Sequence, residues 1–315
     1  YGRPGPGSSS PRRQSVTLPR TRSSISPLLR QAVATMLSHS SKTMGKTPAN
    51  QLIIAYGLAL IGIGAVWHLI AEGQFSSILT VSVMVQCLAT VLLSLQVLSK
   101  GSAAGISARS LSLDILALCC RLSSTIWLNG YLPVDASGDY IFQAVDVLSL
   151  GILVWLLHQV LVVSRHSYQE AEDSLPCLPM VAIAFILAML LHGNMNSRPL
   201  FDALWMAGLF VSTIAVLPQL WLVTQTGGQV EALTSHHIAA MAVSRALSGV
   251  FMWHARGDIS CVPWFSDFNH AIWAILGSHL VHLLLLGDFG YYYFKAVMAQ
   301  GLACQIDINN DGCGV

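Results

Sequence analysis

Residues 110–124 read SLSLDILALCCRLSS, a mainly apolar segment that nevertheless contains an arginine, Arg121. Residues 235–248, SHHIAAMAVSRALS, place Arg245 in a similar setting in the second half of the chain. An arginine at bilayer depth costs at least ~2.5–3.5 kcal/mol, so it normally faces a bundle interior or a wet cavity and has a partner. The two segments therefore predict membrane-spanning helices around a polar cavity that attracts anions.

The surroundings of the two arginines suggest an internal repeat. Ser110 precedes Arg121 by eleven residues, and Ser235 precedes Arg245 by ten. Two three-helix units joined by a linker helix would place the arginines across a shared cavity. The alternative explanation for the similar spacing is chance, because apolar segments are built from few residue types. Both interpretations stay open.

The composition predicts a polytopic membrane protein. Of 315 residues, 54% are hydrophobic and only 10% are charged, whereas soluble domains carry about 25% charge. The seven cysteines contain no C-x-x-C pair, so we expect neither a disulfide framework nor a metal site. Since no nucleophile–base pair or phosphate loop is evident, we also expect no cofactor and no enzyme activity.

Apolar windows of about 20 residues, each long enough to span a bilayer, predict an all-α protein with eight transmembrane helices. They cover residues 52–71, 78–98, 111–132, 141–163, 177–193, 200–223, 236–253 and 268–294.

The distribution of basic residues predicts the orientation. Twelve of the sixteen Lys and Arg residues fall in the first 49 residues or in loops on the same side, against two on the other side. Basic loops remain cytosolic, so both termini are expected in the cytosol.

The two ends of the chain have their own compositions. Residues 1–49 are rich in Pro, Ser and Arg and contain no acid, which is typical of a disordered tail or of an organelle transit peptide.

Residues 307–312, DINNDG, match the first half of an EF-hand loop. Because the loop would need an acid at position 318, the segment is either the cut edge of a calcium loop or a chance polar turn.

The pair Pro218-Gln219 lies within an apolar helix, where proline removes a backbone hydrogen bond. We interpret the pair as a hinge whose freed carbonyl needs a polar partner. Further segments form a pattern with this pair: Ala104–Ser107, Asp202–Trp205, Ile214–Leu220, Thr226-Gly227, Leu233–His236, Arg245 and Gly287–Phe289. In these segments the chain resembles the ER lumen protein-retaining (KDEL) receptor family.

The resemblance implies a seven-helix, PQ-loop or SWEET-like (3+1+3) core over residues 78–298. Residues 50–77 would then add one N-terminal transmembrane helix and a lumenal loop, giving eight helices in total. The basic tail at 1–49 and the C-terminal tail at 299–315 would both be cytosolic.

The resemblance also implies a function. Receptors of this family bind soluble ER proteins through a C-terminal KDEL- or HDEL-like tetrapeptide and return them from Golgi to ER in coated vesicles. Partners would be these proteins, the coat machinery and membrane lipid, with no nucleic acid. The implied peptide-binding residues are Arg121, Arg245, Trp205, Asp202, Ser124 and Ser244.

The chain departs from the family at several of these positions. Serines stand at 124 and 212 where the family carries acids, Ser244 replaces a tyrosine, and the first-helix histidine linked to pH sensing is missing. A hydroxyl-lined pocket of this kind also suits a PQ-loop transporter of a small solute. A receptor-like scaffold that has lost peptide binding is the third interpretation.

Overall fold

The computed structural model describes residue 2 and residues 48–70, 77–126, 139–194, 198–227, 229–257, 259, 261, 268–300 and 306–307. The larger of its two compact units, Lys46–Val315, contains every helix discussed below. The predictions for the tail at 1–47, the loop at 71–76 and most of the EF-hand-like segment fall outside the described residues.

The described chain is helical apart from one two-residue strand pair. The helices are α1 (Pro48–Ala65), α2 (Ser77–Lys100), α3 (Ala108–Thr125), α4 (Asp139–His158), α5 (Cys177–Leu191), α6 (Pro199–Ile214), α7 (Val216–Gln225), α8 (Ala232–His254) and α9 (His270–Gln300). Strand β1 (Gln229–Val230) pairs antiparallel with β2 (Ile306–Asp307). Helices α1 and α4 continue into π-helical turns at Val66–Ile70 and Gln159–Val163.

Each of the eight predicted segments overlaps helix within the described residues, the sixth of them with α6 and α7 together, and residues 127–132 of the third lie outside the described residues. In the described part, six of the spans are long and apolar enough to cross a membrane, which makes this a multi-pass membrane protein. The two other helices, α3 and α5, are not counted among these six spans, each for its own reason. Helix α5 has only 15 residues, and α3 carries three charged residues, Arg109, Asp114 and Arg121.

Two long helix pairs form the centre of the bundle, α2 against α8 and α3 against α6. The largest buried cluster includes Val83, Phe142, Met206, Phe251 and Ile275 from five different helices. Helix α1 lies at the periphery, where Leu52 packs on Leu92 of α2 and Leu233 of α8. Only 11% of the span that contains α1 is buried, as expected for a helix that faces lipid.

The helix that contains the Pro-Gln pair is interrupted at Ala215, between α6 and α7. Proline lacks the N–H that would bond the carbonyl four residues earlier, so the break falls just upstream of Pro218. Gln219 bonds the loop that precedes α3. Its Nε2 donates to the Gly105 carbonyl at 2.8 Å, and its Oε1 accepts from the Ser107 amide at 2.9 Å.

A buried carboxylate fixes the start of α3. Asp173 is fully buried and accepts hydrogen bonds from the Ser107 hydroxyl at 2.8 Å, the Arg109 amide at 3.2 Å and the Tyr168 hydroxyl at 2.7 Å. Burial, followed by this bond to Asp173, raises the pKa of Tyr168 above its ordinary value. The loop before α3 is thus held from two sides, by Asp173 and by Gln219.

Candidate functional site

A cavity of about 550 Å³ opens in the bundle between α2, α3, α4, α6, α8 and α9. We call it the central cavity. Apolar side chains make up most of its wall, including Phe142, Trp205 and Met252. Its polar lining consists of Gln86, Asp114, Arg121, Ser212, Arg245, Ser248 and His279. Apolar walls with a few convergent polar groups are typical of ligand sites.

Arg121 reaches the central cavity but is already paired. Its Nε donates to Oδ2 of Asp146 at 2.7 Å, and its Nη2 donates to Oδ1 at 2.5 Å. Gln86 accepts a longer bond from Nη2 at 3.4 Å, and the guanidinium lies 5.5 Å from the ring centroid of Phe142. Asp146 is only 1% exposed, so the two charges largely neutralise each other.

Arg245 is in a different state. It is 4% exposed and lines the same cavity, and its Nε has no hydrogen-bond partner among the described residues. None of the ion pairs formed there involves it. A buried guanidinium that lacks a protein acceptor is costly. Its charge is therefore available to a carboxylate entering the cavity.

Asp114 is the second charged group that faces the central cavity without an ion pair among the described residues. It lies seven residues before Arg121 on α3, on the same face of the helix. Because Arg121 is neutralised by Asp146, the charges presented to a ligand are those of Arg245 and Asp114. They are of opposite sign.

The other sequence-predicted residues occupy three kinds of position. Trp205 lines the cavity, whereas Asp202, one turn earlier on α6, is buried and lies outside its lining. The Ser124 hydroxyl donates to the carbonyl of Phe201 at 3.0 Å, joining α3 to α6. Ser244 joins α8 to α2, since its hydroxyl donates to the carbonyl of Ser82 at 2.8 Å. Neither serine lines the cavity.

A second cavity of about 320 Å³ adjoins the first, and Asp114 and Ser212 line both. Its other polar residues are Ser110, Gln219, His237 and His282. The interior polar surface thus extends from Arg245 to Gln219, the residue that holds the loop before α3.

Sequence reasoning missed three residues of the site. Gln86, an amide in an apolar helix, and Phe142 both contact Arg121. Gly208 allows α6 to approach α3, because a Cβ there would lie 2.9 Å from the Ala117 carbonyl oxygen. The polar character of Gln86 was a usable signal, whereas the requirement for glycine depends on the packing of two helices distant in sequence.

Comparison with known proteins matches residues 102–256 to the model of the ER lumen protein retaining receptor family. This range contains Arg121, Asp146, Trp205 and Arg245. This chain is therefore similar to the ER lumen protein-retaining receptor family over about half of its length.

Curated members of the family align with most of the chain. ER lumen protein-retaining receptor A of Arabidopsis thaliana is 26% identical over 211 residues, covering 67% of this chain and 90% of the relative. Receptor erd-2.2 of Caenorhabditis elegans is 27% identical over 226 residues, covering 71% and 96%. Receptor 2 of Danio rerio is 27% identical over 215 residues, covering 67% and 89%.

Proposed function

We propose that this protein is a receptor for the C-terminal KDEL- or HDEL-like retention signal of soluble ER proteins. Similarity to the ER lumen protein-retaining receptor family supports this function. The receptor would bind its cargo in the central cavity and return it from the Golgi to the ER. Its partners would be the cargo proteins, the vesicle coat machinery and membrane lipid.

The observation that carries the proposal is the state of Arg245. A retention signal ends in a free carboxylate, and such signals are addresses read by a receptor. Arg245 offers a permanently charged planar donor that no described acidic side chain occupies, at the wall of an otherwise apolar cavity. Trp205 on the same wall provides an aromatic surface for the peptide.

The architecture that goes with this function is a seven-helix (3+1+3), PQ-loop-like core over residues 78–298, preceded by one extra transmembrane helix. The described chain supports this architecture in being helical, with six spans apolar enough to cross a membrane. The charge distribution of the loops supports cytosolic termini. The interruption at Ala215 is where Pro218 would allow α6 and α7 to move during transport.

Binding of tetrapeptides to the purified full-length chain tests the proposal. Peptides ending in KDEL and HDEL, as free acids and as C-terminal amides, are titrated into the protein in nanodiscs at Golgi-like and ER-like pH. Free acids should bind and amides should lose at least about tenfold in affinity, since a charge-assisted hydrogen bond contributes roughly 1.5–3 kcal/mol. Equal affinity for acid and amide would refute the proposal.

Transport activity provides the contrast with a solute transporter. In proteoliposomes, a retention receptor should bind the peptides without moving sugars or other small solutes across the membrane. In cells, Arg245→Ala should abolish retrieval of a KDEL-tagged reporter. Unchanged retrieval would instead indicate a scaffold that does not use this cavity.

A further inference from the structure

A groove of about 680 Å³ runs along the outside of the helix bundle, lined by residues of α5, α6 and α9. We call it the α5–α9 groove. Among the described residues it shares no lining side chain with the central cavity or the second cavity, so the proposed peptide contacts make no use of it. Its volume lies within the range of roughly 300–1,000 Å³ that is typical of small-molecule sites.

The groove opens toward lipid. On its rim Ile183 and Leu187 of α5 are 57% and 42% exposed, and Val281 of α9 is 49% exposed. Helix α5 has 15 residues and is about 22 Å long, whereas the hydrocarbon core of a bilayer is about 30 Å thick. The helix packs on α6 and hardly touches α9. The short α5 therefore leaves a gap in the lipid-facing wall of the bundle, which a component of the membrane fills.

Two hydroxyl groups lie at the bottom of the groove. Thr213 and Ser278 are only 6% and 8% exposed. Thr213 Oγ1 donates to the carbonyl of Leu209 at 3.0 Å and lies 2.7 Å from Ser278 Oγ. A hydroxyl has one proton and two acceptor lone pairs. Because the proton of Thr213 is engaged by the carbonyl, Ser278 donates to Thr213, and Ser278 Oγ keeps its acceptor capacity for a donor in the groove.

The rest of the lining excludes a charged occupant. The other nine described residues that line the groove are all apolar, and none of the eleven is charged. A phosphate headgroup or a fatty-acid carboxylate would be buried there without a countercharge, which is costly. The groove is thus suited to a neutral amphiphile that donates one hydrogen bond from a hydroxyl group.

The walls also favour a rigid occupant over a flexible one. Ile183, Ile214 and Val281 are β-branched, and such side chains are confined to one preferred rotamer in a helix. Ala184 and Ala274 add flat, invariant surface. A fused ring system loses less conformational freedom against such a wall than an acyl chain does.

We propose that the α5–α9 groove is a sterol site. The sterol hydroxyl donates to Ser278 Oγ, and the ring system packs between the apolar walls of α5 and α9. This site goes beyond the proposed retrieval function and does not depend on peptide binding.

Photoaffinity labelling of the full-length protein in nanodiscs tests the proposal. The probe is cholesterol with a diazirine on the ring system, and the labelled residues are mapped by mass spectrometry. Labelling should concentrate on α5, α6 and α9. Unlabelled cholesterol should compete about two- to tenfold better than its 3-methyl ether, because the ether lacks the proton of a neutral hydrogen bond.

Ser278→Ala should bring the ratio between cholesterol and its methyl ether close to one. The fold should be retained, since Thr213 keeps its bond to the carbonyl of Leu209. Ser112→Ala is the matched control, because Ser112 is an exposed serine of α3 that lies outside the groove and donates to the carbonyl of Ala108. Its ratio should equal that of the wild type.

Three results would overturn the proposal. Labelling spread evenly over the exposed faces of all the helices would mean that ordinary bilayer lipid fills the groove. Dioleoylglycerol, a flexible neutral lipid with one hydroxyl, would exclude a sterol-specific site if it competed as well as cholesterol. A ratio that survived Ser278→Ala would remove the contact with Ser278. Failure of the retrieval function has a separate signature, equal binding of peptide acids and amides, and leaves the labelling unchanged.

Discussion

Arg121 and Asp146 form a bidentate ion pair between α3 and α4, with N–O distances of 2.7 and 2.5 Å. The pair changes what the first arginine contributes to the site. Its guanidinium shapes one wall of the central cavity, but its charge is already balanced within the protein. The anion-binding capacity predicted for two arginines therefore rests mainly on Arg245.

Asp146→Asn should destabilise the protein strongly, because it leaves Arg121 as a buried charge with no carboxylate partner. Breaking a buried ion pair typically costs about 3–5 kcal/mol. We expect a clear drop in Tm in detergent, measured by intrinsic fluorescence. The double variant Arg121→Met, Asp146→Leu should recover much of the loss, since an apolar pair needs no charge compensation. A double variant as unstable as Asp146→Asn would show that the pair has a further role.

Gly208→Ala should force α3 and α6 apart. The added Cβ would lie 2.9 Å from the Ala117 carbonyl oxygen and 3.2 Å from the Arg121 amide nitrogen, both backbone atoms that cannot rotate away. Overpacking of this kind costs about 1–3 kcal/mol. Gly277→Ala in α9 is the control, because a Cβ there meets no described atom within 4 Å. Equal Tm for the two variants would contradict the close approach.

Gln219→Leu should release the loop before α3. It removes the acceptor for the Ser107 amide and the donor to the Gly105 carbonyl, leaving buried backbone groups unsatisfied at about 1–3 kcal/mol each. Hydrogen exchange at residues 103–107 should become faster. Gln225→Leu, an exposed position at the end of α7, should leave exchange there unchanged. Protection retained in Gln219→Leu would mean that Asp173, Ser167 and Gln169 hold the loop without Gln219.

Tyr168→Phe should reveal an alkaline component of stability. Burial, then the bond to Asp173, raises the pKa of Tyr168 above its ordinary 10.0. A raised folded-state pKa means that the contribution is fully present below pH 10 and is lost as pH rises through the folded-state value. The stability gap between wild type and Tyr168→Phe should therefore stay constant from pH 6 to 9 and shrink above about pH 10. A gap that changes between pH 6 and 9 would contradict this assignment.

Most helix positions could be predicted from sequence, because long apolar windows and their polar flanks carry that information directly. The segment at 177–193 illustrates this, since α5 begins at Cys177 and ends at Leu191. The break near Pro218 was also predictable, because proline cannot donate the backbone bond. Its position at Ala215 follows from the same rule.

The contacts of the site were harder to predict, because they depend on how helices distant in sequence meet. Asp114 and Asp146 both lie in the helix bundle, and the packing of α3 on α4 is what pairs Arg121 with Asp146. Ser124 and Ser244 seemed to belong to the cavity by family position. The close approach of neighbouring helices instead directs their hydroxyls to backbone carbonyls. Gln219 likewise bonds a neighbouring loop and not its own helix.

The central claim is that Arg245 receives the terminal carboxylate of the peptide. A two-by-two cycle measures this contact directly: wild type and Arg245→Gln, each titrated with a KDEL peptide as the free acid and as the amide. Arg165→Gln, which removes an exposed loop arginine, is the control.

Amidation should weaken binding to the wild type and to Arg165→Gln by at least about tenfold. Arg245→Gln should bind the acid and the amide with nearly equal, low affinity. If Arg245→Gln still discriminates the acid from the amide as strongly as the wild type does, the carboxylate binds elsewhere and the account is contradicted.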